Sequence, residues 1–238
     1  MDISALSKKM KTLQEFDKCF ALFGANRHRY ILNRKLSEME LVDYEKQYAI
    51  AIPREYREFL RQLGDGGYGP FYGLLPLRGN DKMLQYKGTT DDEGLDKDFP
   101  FTRESPLNLN DDEELNRLSA LRAKSFKEGM FDEEEKTDKA YSEREGFLYE
   151  YATQGIKFLC HEGCGMYNVL VMKGKEAGTV WHLDFSGGAE WGCGVLPLIN
   201  PDNGQPMGFF DWYNIWLDRS IKSLKTNERD IWGYAEYI

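Results

Sequence analysis

The chain has 238 residues, 41% of them apolar and 14% aromatic, and a net charge of −9. That length buries a sizeable core, and no run of ~18 apolar residues is present to encode a membrane-spanning helix. The balance is acidic overall but uneven: residues 1–80 carry +3, residues 81–146 carry −8 and residues 147–238 carry −4. Such a chain is a poor nucleic-acid binder, because phosphate neutralisation needs clustered Lys and Arg, and it suits a basic protein partner.

The N-terminus lacks the continuous apolar stretch of a signal peptide, so the expected compartment is the cytosol, with no membrane association. Leu13, Phe16, Phe20 and Phe23 recur at helical spacing and predict a first helix over roughly Lys8 to Phe23. Ser37 and Glu40 form a Ser-x-x-Glu capping box, opening a second helix whose apolar face is Leu41, Tyr44 and Tyr48. Pro53 suits the first position of a third helix, with Tyr56, Phe59, Leu60 and Leu63 on one face. Gly64 then reads as its left-handed C-cap, and Gly66, Gly67 and Gly69 as turns into a buried strand that ends near Leu77. These glycines follow a helix, at the negative end of its dipole, so they do not form a phosphate cradle.

Residues 80–146 read as an acidic insertion, with a short strand near Met83 to Tyr86. Within it, DDEELNRLSALRAKSF predicts a helix capped by Asn110 with Glu113 at N3, docked through Leu115, Leu118 and Leu121. The run GMFDEEEKTDKAYSEREG is charged and expected to be mobile. From Gly146 the pattern turns β-like: FLYEYA, IKFLCHEG, YNVLVMKG and GTVWHLDF are short runs rich in Val, Phe, Tyr and Leu, split by glycine turns. They predict an antiparallel meander. A final helix from Phe209 to Leu224 presents Phe209, Trp212, Trp216 and Leu217 to one sheet face, and Ile231, Trp232 and Tyr234 suggest that the tail packs. The fold expected is a single α+β domain over residues 1–238: N-terminal helices and a C-terminal amphipathic helix on a mainly antiparallel sheet.

Two constellations suggest chemistry. Cys160, His161, Cys164, Cys193 and His182 supply zinc-ligand types, but without a second paired knuckle, and Cys160 and His161 point to opposite faces of a strand. Cys164, His182 and Asp184 supply nucleophile, base and orienting acid, although His182 and Asp184 also describe an ordinary polar sheet face. Buried thiols without a disulfide are the simpler expectation, and no catalytic residue, cofactor or metal is assigned. A binding surface draws instead on Asp65, Tyr68, Tyr72, Asp184, Glu190 and Trp191, aromatic anchors beside acids that suit a basic partner; Phe71 and Trp181 are expected to fill the core.

Pro53, Tyr56, Phe59, Leu60, Gly66, Gly67, Tyr72, Gly73 and Leu77 together resemble the opening motif of the SUKH superfamily, in its Smi/Knr (cell-wall assembly regulator-like) branch. Val180-Trp181 followed by the helix FFDWYNIWLDRSIKSL is similar to the closing strand-loop-helix of that family. The two blocks cover about two-thirds of the chain and leave the centre unmatched. The resemblance implies a non-enzymatic protein-binding module: an immunity protein that neutralises a cognate toxin, often a nuclease, or else a scaffold in cell-wall signalling. A cysteine- or zinc-dependent hydrolase is the alternative of a different class. Fold-level analogy is a weak warrant for function, so the site must carry the choice.

Overall fold

The computed structural model describes residues 3–78, 92–187 and 194–226. Its centre is a five-stranded antiparallel sheet: β1 (Leu107–Asn108), β2 (Ile156–Gly163), β3 (Met166–Val171), β4 (Val180–Asp184) and β5 (Gly194–Pro197), in the order β1-β5-β4-β3-β2. Strands β2 to β4 are three of the four runs expected in the meander, and β5, which was not expected, extends it. β1 comes from inside the acidic insertion and adds the far edge, with Leu107 opposite Val195.

Strand alternation divides the side chains between two cores. The register Leu170↔Val180 and Asn168↔His182 sends those residues to a first face, while Val169↔Trp181 and Tyr167↔Leu183↔Val195 face the second. Both faces are covered, which explains why β2 and β4 are apolar-rich and buried almost throughout. Helices α1 (Ile3–Phe16), α4 (Arg54–Gln62) and α7 (Phe209–Thr226) pack on the first face with Leu170 and Val180. On the second, Trp181, Leu183 and Val195 meet Leu115, Leu148, Tyr149 and Ala152 from the helical hairpin α5 (Glu113–Glu128) and α6 (Phe131–Ala152). The molecule is thus α+β, with seven α-helices and one sheet among the described residues.

Several local elements depart from expectation for identifiable reasons. α1 ends at Phe16, not Phe23: the Asp17 carboxylate accepts from the amides of Ala21 (2.7 Å) and Leu22 (3.1 Å), a local alternative to helical bonding, and Phe20 takes a left-handed φ of 55°. A four-residue helix, α2 (Ala25–His28), follows. α3 (Glu38–Tyr48) carries the full Ser37/Glu40 capping box. Pro53 occupies the N-cap of α4, one residue earlier than expected.

Gly64 is not a left-handed cap. It is needed for space, since a Cβ there would lie 2.5 Å from the Asn33 carbonyl oxygen. The positive φ angles fall on Gly66, Gly67 and Gly73 instead. The strand expected before Leu77 is reduced to isolated bridges: Leu74 pairs with Gly67 and Cys160, and the Leu75 amide donates to Leu159 at 2.8 Å along the edge of β2.

The largest correction concerns α6. The segment FLYEYA, expected as a strand, is the last part of a helix of 22 residues that begins at Phe131 within the charged run. Leu148, Tyr149 and Ala152 are spaced to share a helical face, and packing on the sheet overrides the β propensity of the aromatic residues. Asp132, Glu133 and Glu134 stabilise its first turn through the dipole. The cap of α5 is Asp112, which accepts from Leu115 at 2.9 Å; Asn110 lies in a preceding 3₁₀ turn. The segment around Met83–Tyr86 and the tail containing Ile231, Trp232 and Tyr234 lie outside the described residues.

Candidate functional site

The residues nominated from sequence for partner binding do not form one surface. Tyr68 is 2% exposed; its hydroxyl donates to the Met10 carbonyl at 2.8 Å, and its ring packs among His28, Tyr30 and Trp216. Asp65 is also buried, accepting from the Leu77 amide at 2.6 Å, and loss of solvation raises its pKa despite that bond. Asp184 is buried at the end of β4, where it accepts from the Ser186 amide. These three are structural residues of turns and core, as are Trp181 and Phe71. Glu190 and Trp191 lie outside the described residues. Tyr72 alone of the six is described as partly exposed.

The cysteine- and histidine-rich strands resolve into a buried polar lattice between the sheet and α7. Oε1 of Glu162 accepts from the Asn168 amide group and lies 3.0 Å from Nδ1 of His182; Oδ1 of Asn168 accepts from the Trp212 indole at 2.9 Å. His182 thus faces Glu162 across the sheet, and Asp184 is engaged with Ser186. Cys160 lies in the first core, where burial raises its thiol pKa well above the usual value, and Cys164 is exposed in the β2–β3 turn. A Cys164–His182–Asp184 triad is therefore not assembled. His161 points to the face opposite Cys160, as strand alternation requires, and packs on Tyr72 and Tyr167. Among the described residues no three His, Cys, Asp or Glu side chains converge on a metal-sized point.

The most conspicuous surface is one that sequence reasoning placed only approximately. Beyond Leu118 of α5 and before Leu148 of α6, the two helices form an arm with Ser125 as its one buried residue. An Arg122–Asp138 ion pair at 2.7 Å links the helices midway. At the base, Arg144 grips Asp112 with Nη2 at 2.6 Å and Nε at 3.3 Å, which together with the cap contact holds that carboxyl below its ordinary range. The tip carries Phe126 and Phe131, 72% and 77% exposed, with Met130 between them in sequence. Phe147, 58% exposed, stacks against Tyr151 nearer the base. Eight acids against three bases lie on α6 alone. The acidic run was legible in sequence; the exposed aromatics were not, because Phe147 and Tyr151 read as strand and Phe131 lay in a charged run expected only to be mobile.

A second feature lies on the other side of β2. α2, the following turn and the glycine-rich segment bound a cleft of about 420 Å³, lined by Arg27, His28, Asn33, Tyr72, Leu74 and His161 among others. The Tyr72 ring stacks on His161, with centroids 5.6 Å apart, and meets Phe23 at 5.0 Å and the Arg27 guanidinium at 5.6 Å. Burial lowers the His28 pKa to about 4, against a smaller opposing pull from Asp17.

Compared with known proteins, the chain matches no family model, no curated protein and no solved structure. No described helix is long and apolar enough to cross a membrane.

Proposed function

We propose that this protein is a non-enzymatic binding module that holds a basic protein partner on the α5–α6 arm. By the resemblance to the SUKH superfamily, the partner is a cognate toxin, with a nuclease the best fit, and the module acts as its immunity protein in the cytosol. One observation carries the reading: the chain's two most exposed phenylalanines sit at the tip of its most acidic helix pair. Exposed aromatic anchors flanked by charge of one sign are the pattern of a steered interface, in which acids attract a basic surface and apolar rings hold it. Nucleic-acid-binding enzymes are basic where they grip phosphate, so an acidic arm complements that surface.

The reading is tested by co-expressing the chain with a basic toxin domain encoded beside it. The wild-type chain is expected to restore growth and to co-purify with the toxin. The Phe126→Ser/Phe131→Ser variant, altered only at exposed positions, is expected to fold and to lose both. Full protection by that variant would refute the arm as the binding surface.

A further inference from the structure

The cleft beside α2 belongs to the part of the chain whose charge is opposite to that of the arm. Residues 3–35 carry eight bases against two acids, in a chain of net charge −9. One of those acids, Asp17, is buried against the Tyr30 hydroxyl, a hydrogen bond that ties the turn bearing Lys18 to the turn bearing Arg29. Lys18, Arg29 and Lys35 are exposed. Arg27 and Arg34 are already engaged, on the Tyr72 ring and on Glu40. None of the described residues lining the cleft is acidic.

Apolar side chains stand at the mouth of the cleft. Ile31, 63% exposed, lines it, and Phe23, 54% exposed, meets Tyr72 of its wall at 5.0 Å. Glycine keeps the interior open: a Cβ on Gly73 would lie 2.4 Å from the Gly67 carbonyl oxygen. The volume of about 420 Å³ lies within the range of sites that enclose a ligand. An apolar mouth in a basic stretch fits an occupant that places an apolar anchor beside acids.

The chain itself carries such an occupant at the tip of the arm. Phe131 is followed directly by Asp132, Glu133, Glu134 and Glu135. Phe131 is 77% exposed, so the arm does not fill the cleft of its own chain. Its base is fixed by the Arg144–Asp112 pair and by Leu115 and Leu148 in the second core.

We propose that two copies of this chain associate head to tail, with Phe131 of one copy seated in the α2 cleft of the other, against Ile31 and Tyr72. The four acids that follow Phe131 then face Lys18 and Arg29. The contact is heterologous, because two different patches of the same chain meet. It rests on the arm tip being adhesive, as the proposed function does, but it requires no toxin.

Sedimentation velocity of the purified chain alone is the test. The wild type is expected to associate with a Kd within about 1–100 μM, and about tenfold more weakly at about 1 M than at about 0.1 M salt. Two variants altered only at exposed positions, Phe131→Ser on the arm and Lys18→Glu/Ile31→Asp at the cleft, are each expected to be folded by circular dichroism and monomeric at about 200 μM. Mixed, they are expected to combine with about the wild-type Kd, since one supplies an intact cleft and the other an intact arm. A wild-type monomer at that concentration would overturn the proposal. So would undiminished self-association of either folded variant, or failure of the two folded variants to combine. The cleft variant keeps its arm, so its binding of a toxin is expected to persist, and failure of this contact is read separately from failure of the toxin reading.

Discussion

Replacing Asp17 with alanine is expected to destabilise the protein by about 3 kcal/mol. The carboxylate accepts from the Ala21 amide at 2.7 Å, the Leu22 amide at 3.1 Å and the Tyr30 hydroxyl. Removing it affects the three donors differently. Ala21 is exposed and Leu22 partly so, and water replaces much of what those amides lose; the Tyr30 hydroxyl sits on a side chain only 5% exposed. An orphaned buried hydroxyl costs about 1–3 kcal/mol, and the loss of the turn that ends α1 adds about another 1. For a chain of this length that is a fall in Tm of roughly 6–12 °C. Urea unfolding followed by circular dichroism measures it, with the midpoint moving and the slope unchanged. Tyr30→Phe removes the donor as well, so the double variant is expected to recover about 1 kcal/mol relative to the sum of the singles. A cost below about 1 kcal/mol for Asp17→Ala, or strict additivity with Tyr30→Phe, would refute the reasoning.

Two further outcomes follow from the cleft. His28 titrates in the folded protein at about 4, below its ordinary 6.5, so on acidification the unfolded chain takes up the proton first. Its contribution is therefore complete above pH 6.5 and is lost between 6.5 and 4; His28→Gln is expected to flatten that part of the stability profile, read as urea midpoints at about pH 7.5 and about pH 5. Gly73→Ala is expected to cost more than about 2 kcal/mol, because φ is 95° and the new Cβ would lie 2.4 Å from the Gly67 oxygen. Gly129→Ala meets no atom within 4 Å and is expected to cost only about 1 kcal/mol for its left-handed backbone; equal effects of the two would contradict the close packing at Gly73.

What was legible in the sequence was what neighbouring residues determine. The Ser37/Glu40 box, the apolar face of α7 and strands β2 to β4 all declare themselves within a few residues, and all are present. The stop after Phe16 was hidden because Phe20 and Phe23 continue the helical spacing; only the acceptor geometry of Asp17 overrides it. FLYEYA has the composition of a strand and the register of a helix, and its packing on the second sheet face decides between them. Tyr68 and Asp65 looked like surface residues beside glycines. Their burial arises from α1 and from Leu77, contacts between segments that no local pattern records. The glycine-rich segment is a connection, as its position after a helix implied, yet its tight approaches also line the cleft. The charge imbalance of the insertion was read correctly, while its shape as an aromatic-tipped arm required the structure.

The affinity of the arm for a basic partner is the property on which the proposed function depends. Isothermal titration of the purified chain with a catalytically inactive toxin domain encoded beside it is expected to give tight binding that weakens steeply with added salt. The combined variant Phe126→Ser/Phe131→Ser/Glu133→Lys/Glu134→Lys, still folded by circular dichroism, is expected to bind at least about 100-fold more weakly and with a shallower salt dependence. Undiminished affinity in that folded variant would contradict the arm as the surface that holds the partner.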